Sequence, residues 1–153
     1  MIVNKNSELA ARFVAERHPE DCPIIDVHAH MGNLDGAYMP AGDASKMVEI
    51  MHRNGTKLTL FCGHGALFAP HTRLGREYDL QVARTYAPLM RAYYPMTSRT
   101  LDYGADIARF EKHYGLYVGM KFLADYYSVP LTDKINAPFF RYADAHKLPV
   151  LCH

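Results

Sequence analysis

Apolar and polar positions along the chain alternate between two periods. Short apolar runs bounded by turn residues occur at Ile24–Gly32, Lys57–Cys62, Arg91–Ser98, Tyr117–Leu123 and Pro149–Cys152, which is the signature of buried parallel strands. Between them, apolar residues recur at helical spacing. Asp43 is placed to cap a helix carrying Met47, Ile50 and Met51 and stopped by Asn54-Gly55. A second helix spans Gly75 to Pro88, from about Glu77, with Leu80, Ala83 and Ala87 on one side. Asp102 caps a third with Ile107, Phe110 and Tyr114, and Phe139, Phe140, Tyr142 and Ala143 mark a fourth. Ahead of them, Ser7 caps a helix bearing Leu9, Phe13 and Val14, expected to pack outside the first strand. Arg91–Ser98 is the least strand-like run, because Pro95 sits badly in a central strand.

The strand ends His30, Cys62, Ser98, Leu123 and His153 recur at intervals of about thirty residues, each preceded by a helix. That is the βα repeat of a parallel barrel. The expected fold is therefore α/β, of (β/α)8 TIM-barrel type, incomplete, with about five of the eight units. A whole barrel takes roughly 250 residues, so residues 1–153 are expected to be the N-terminal part of one barrel, residues 1–22 forming the lead-in helix. Strands one and five would then be open edges, a hazard for self-association.

Composition adds limits. The chain is 49% hydrophobic and 22% charged, within the range of a globular domain. Seventeen basic and sixteen acidic residues leave a formal charge of +1, so no overall field favours nucleic acid or an anionic membrane. Cys22, Cys62 and Cys152 have neither disulfide-framework nor zinc-ribbon spacing. With a polar N-terminus and no apolar run of membrane-spanning length, a cytoplasmic location is expected.

The candidate chemistry starts at Asp26-Val27-His28-Ala29-His30. Strand alternation puts His28 and His30 on one face, with Asp26 one step behind. Two imidazoles at a strand's end make half of a metal site. A His-x-His pair also occurs by chance, but the C-terminal end of an apolar strand is where parallel α/β folds put their chemistry. On this topology His28, His30, His64, Lys121 and His153 converge on one opening. His64 and Lys121 are candidates for substrate binding, and Arg99 is a further loop cation. His18, His52, His71, His113 and His146 read as loop or surface residues. Cys152, facing away from His153, reads as core.

Ile25-Asp26-Val27-His28-Ala29-His30 with Gly32, Asn54-Gly55 before strand two, Gly119-Met120-Lys121-Phe122, and Lys147-Leu148-Pro149-Val150-Leu151-Cys152-His153 resemble the amidohydrolase superfamily. Within it, the amidohydrolase-related group of metal-dependent hydrolases and decarboxylases is most similar. The resemblance implies a (β/α)8 barrel holding one or two divalent metals, commonly zinc, with His28, His30 and the strand-five His153 as ligands. Lys121 matches a strand-four position at which some members carry a carboxylated, metal-bridging lysine. Where relatives have a histidine two residues later, this chain has Leu123. A strand-six histidine and a strand-eight aspartate, the family's proton acceptor, have no counterpart here, and Asp26 suits a supporting role instead. The implied activity is metal-assisted hydrolysis of a C–N or C–O bond in a small molecule, or decarboxylation of a small acid. Two alternatives are a metal-dependent phosphoesterase or DNase barrel, and a non-catalytic metal-binding module completed by a partner or by a second copy in a homo-oligomer.

Overall fold

The computed structural model describes residues 6–17, 21–34, 38–68, 72–97 and 102–153. His18, the Asp35-Gly36 part of the loop after the first strand, His71, Ser98 and Arg99 lie outside the described residues.

Five parallel strands form a curled half-barrel: β1 (Ile24–Met31), β2 (Thr56–Gly63), β3 (Met90–Met96), β4 (Tyr117–Phe122) and β5 (Val150–Cys152). Their spatial order is their chain order, β1-β2-β3-β4-β5, as in a singly wound barrel wall. The helices are α1 (Glu8–Glu16), α2 (Ala44–Asn54), α3 (His64–Leu67), α4 (Thr72–Thr85), α5 (Tyr103–Lys112), α6 (Ala124–Tyr127) and α7 (Ala137–Ala145), the last preceded by a 3-10 turn at Lys134–Asn136. None of the described helices is long and apolar enough to cross a membrane.

The helix starts follow from their caps. The side chains of Ser7, Asp43 and Asp102 accept the amides of Ala10, Lys46 and Ala105, supplying acceptors for otherwise orphaned donors. At the far end of α2, Gly55 adopts φ 71°, the left-handed stop that Asn54-Gly55 announces.

Side chains on the two faces of the sheet make separate cores. Phe61, Met90, Ala92, Tyr94, Met96, Met120 and Phe122 pack outward against Met51, Leu80, Ala83, Phe110 and Phe139 of the helices. Cys62, Tyr93 and Leu123, with Leu60 and Leu151, form a smaller inner cluster capped by Ala66 and Leu67 of α3.

Several expectations are corrected. Pro95 lies within β3 and pairs with Lys121, and it is tolerated because the β2 ladder has already ended at Phe61/Ala92. Helix α4 begins at Thr72, a turn or more before Glu77, and the stretch after Leu123 opens with α6. Cys152 is exposed, not core, because it lies on the outward face of edge strand β5, where no described helix covers it. Leu9, Phe13 and Val14 of α1 stay about half exposed, although Phe13 and Val14 line a cavity with Ile24 and Asp26 of β1, and an exposed Arg12–Asp21 ion pair (2.6 Å) links the helix to the lead-in of that strand.

Candidate metal centre

Strand β1 does not alternate evenly. Between Asp26 and Ala29 it uses three steps where β2 uses two, from Thr59 to Phe61, which is a bulge. Asp26 is therefore not aligned with the histidines as simple alternation predicts. Its carboxylate accepts the backbone N–H of His28 at 3.0 Å and steadies the bulge. Tyr93 reaches across from β3 and donates its hydroxyl to the Val27 carbonyl at 3.1 Å. Ile25 and Val27 on this strand are 56% and 52% exposed.

His28, within the bulge, and His30, just past it, turn their rings together, with Nε2 atoms 3.3 Å apart. Burial lowers the pKa of both: His28 is depressed also by Lys121 and His153, against an opposing effect of Asp26, and His30 falls to about 4, with the positive charges of His64 and Lys121 adding to desolvation. Both rings are thus neutral at pH 7, the state in which imidazole donates a lone pair to a metal.

The other expected residues arrive from separate strands. Lys121 on β4 is 0% exposed, and its Nζ lies 3.3 Å from His28 Nε2. Desolvation lowers its pKa, and among the described residues no carboxylate stands within ion-pair distance of it. His64, expected in a loop, opens α3 instead and is buried, its ring stacked on His30 at 5.1 Å and 9°. Its Nδ1–H donates to the Gly32 carbonyl at 2.9 Å, so in the neutral ring Nε2 keeps the lone pair. His153 follows β5, its amide donating to the Phe122 carbonyl at 3.0 Å and its ring standing 5.3 Å from that of Tyr126. The fold thus gathers His28, His30, His64 and Lys121. Among the described residues it does not bring a third His, Cys, Asp or Glu to the His28–His30 pair at ligating distance.

The pair itself fits a metal. Two nitrogens bound to zinc at about 2.0–2.1 Å and subtending a tetrahedral angle are about 3.3–3.4 Å apart, and the two Nε2 atoms stand at 3.3 Å. The same separation also suits an N–H···N hydrogen bond between the two rings when one of them carries its proton on Nε2.

Asp79 of α4 is a residue that the hydrophobic pattern does not reveal. It is buried at 1% exposure, accepts the Gly63 amide at 2.9 Å, and leaves its second oxygen without a hydrogen bond among the described residues. A Cβ at Gly63 would run into that carboxyl, so glycine is what lets Asp79 hold the turn that delivers His64. Burial pushes its pKa up to about 7, against the effect of the Gly63 hydrogen bond. Rings continue the rim from His64 to Phe68 and Tyr126, and Tyr127 of α6 donates to the Leu67 carbonyl at 2.9 Å, tying α6 to α3.

Fold and mouth together define a parallel βα barrel wall with its polar groups at the C-terminal ends of the strands. Among solved structures, it is similar to a probable 2-pyrone-4,6-dicarboxylic acid hydrolase from Acinetobacter baumannii, crystallised with citric acid bound, at a TM-score of 0.58 and 14% identity. The match covers 84% of this chain and 48% of that one, so the chain spans about half the length of this neighbour. No family model matches the chain, and no curated protein is detectably similar to it. At that identity the likeness establishes the fold.

Proposed function

We propose that this chain carries the histidine half of a divalent-metal centre, most suited to zinc, in a hydrolase of the amidohydrolase kind. The supporting observation is the pair of neutral imidazoles whose Nε2 atoms stand 3.3 Å apart at the mouth. His28 and His30 hold the metal, and His153 is the third ligand, for which its ring has to leave Tyr126. The metal supplies Lewis acidity toward the substrate's carbonyl and toward water.

The chain's own groups prepare the site. Burial keeps the imidazoles unprotonated, and the positive charge of Lys121 discourages protonation of His28 further. Asp26 fixes the His28 backbone, while Asp79 and Gly63 fix His64 against His30. Lys121 and His64 face the substrate, a small molecule cleaved at a C–N or C–O bond; a small acid losing carbon dioxide is the variant reaction. The proton acceptor is not among the residues gathered at this mouth.

Zinc-loaded protein should be offered lactones, amides and small carboxylic acids, with bis(p-nitrophenyl) phosphate as the counter-substrate. Turnover of any of the first three that disappears on chelation supports the proposal. Cleavage of the phosphodiester alone, or failure of the chain to take up zinc, contradicts it; zinc uptake with little turnover by the isolated chain is what a half-barrel without its proton acceptor is expected to give.

A further inference from the structure

On the opposite side of the sheet from the histidines, α4 and α5 diverge over the outward faces of Tyr94 and Tyr117 and leave a cavity of about 140 Å³. Its wall is basic: Arg73, Arg76, Arg109, Lys112 and His113 line it, with Glu77.

Arg76 organises the cavity. Its side chain is 8% exposed and lies 4.6 Å over the Tyr94 ring. One terminal nitrogen donates to the Tyr94 hydroxyl and to Asp106 Oδ1, both at 2.9 Å, and the other donates to the Pro95 carbonyl at 3.1 Å. Its Nε is buried with no hydrogen-bond partner among the described residues. A buried guanidinium donor left unused costs about 1–3 kcal/mol.

Charge does not balance either. Arg76 and Arg109 share the single oxygen Asp106 Oδ1, at 2.9 and 3.3 Å. Among the described residues neither Arg73 nor Lys112 has a carboxylate within ion-pair distance. Two of the four cations thus share one carboxylate, and the other two have none at ion-pair distance among the described residues. His113 responds to this field: burial, Arg84 and Lys112 lower its pKa, against Glu77. Its Nδ1 lies 3.4 Å from the Arg84 guanidinium, which can only donate, so the neutral ring carries its proton on Nε2 and offers one more donor.

We propose that this cavity binds a phosphate group, either free phosphate or the head of a phosphomonoester. The volume holds four or five waters at about 30 Å³ each, room for the five heavy atoms of one tetrahedral oxyanion. Planar guanidinium forks and an ammonium suit its oxygens, and helix-borne arginines hold them in fixed geometry. Bound there, the anion pins α4 to α5 without touching the histidine mouth, so this site stands or falls independently of the metal proposal.

The test is an NMR titration of the full chain, without added metal, with inorganic phosphate and separately with glycerol phosphate, against sodium chloride at equal ionic strength. Phosphate should shift the Arg76 side-chain Nε–H resonance and the amides of residues 73–77 and 109–113, leaving His28 and His30 unmoved. Arg109→Gln and Lys112→Gln alter exposed side chains outside the apolar core, and each should weaken binding about tenfold, the loss of one charge-assisted hydrogen bond. Tighter binding of the free ion assigns the site to phosphate itself, and equal or tighter binding of the ester assigns it to a phosphomonoester. Shifts matched by chloride, or retained unchanged in the double variant, overturn the proposal.

Discussion

Replacing Asp79 by Asn changes one buried proton and little else. The wild-type carboxyl has a pKa near 7, against 3.8 for the free side chain, because burial opposes its charge. Between those values the folded protein holds a proton that the unfolded chain has released, so this group's contribution is fully favourable below about 3.8 and is lost as pH rises through about 7. The slope is about 1.4 kcal/mol per unit, and from about pH 5 to about pH 8 only the span up to 7 counts, which gives about 3 kcal/mol. His30 works in the opposite sense: its pKa falls to about 4 from 6.5, so its contribution is present above 6.5 and is lost as pH falls through 4. The wild-type profile is therefore shallow, and the informative quantity is the difference between variant and wild type. Asn keeps an acceptor for the Gly63 amide and carries no charge. Urea unfolding at both pH values should show the stability of Asp79→Asn, relative to wild type, rising by about 3 kcal/mol from the lower pH to the higher. A difference that does not change with pH would refute the reasoning.

Lys121→Met removes a fully buried cation with no ion-pair partner among the described residues. Unfolding stability should rise by about 1–3 kcal/mol, and zinc affinity should rise about tenfold as a like charge leaves the His28 nitrogen; a loss of zinc binding would instead identify the lysine as a ligand. Gly75→Ala puts a Cβ against the backbone of Gly65 and Ala66, where α4 crosses α3. The expected cost is about 1–3 kcal/mol, measured as a fall in melting temperature of about 2–4 °C per kcal/mol; an unchanged melting temperature would show that the crossing can open freely.

The barrel was legible because its evidence is local and repeated. Apolar runs ending at His30, Cys62 and Leu123, and caps at Ser7, Asp43 and Asp102, act through neighbours in the chain, and the structure uses each of them. The convergence of His28, His30, His64 and Lys121 followed from right-handed βα winding alone. Pro95 misled because a missing donor matters only where a ladder needs one, and β2 has already ended there. Cys152 misled because alternation tells which face a side chain takes, not whether that face is covered. The bulge after Asp26 depends on how β1 registers with β2, and no pattern in β1 alone encodes it. Nothing in the hydrophobic pattern singles out Asp79, Arg76 or Asp106. They are buried because their partners, Gly63 and Tyr94, come from strands 16 and 18 residues away for Asp79 and Arg76, and 12 residues away for Asp106.

The central claim is that His28 and His30 hold a metal at the barrel mouth. A calorimetric titration of the chain with zinc tests it most directly, run beside His28→Ala and His30→Ala. One equivalent should bind in wild type, and either substitution should weaken binding by a hundredfold or more, on the order of 3 kcal/mol for the loss of a ligand. Equal zinc affinity in all three proteins, or no binding in wild type, would contradict the account.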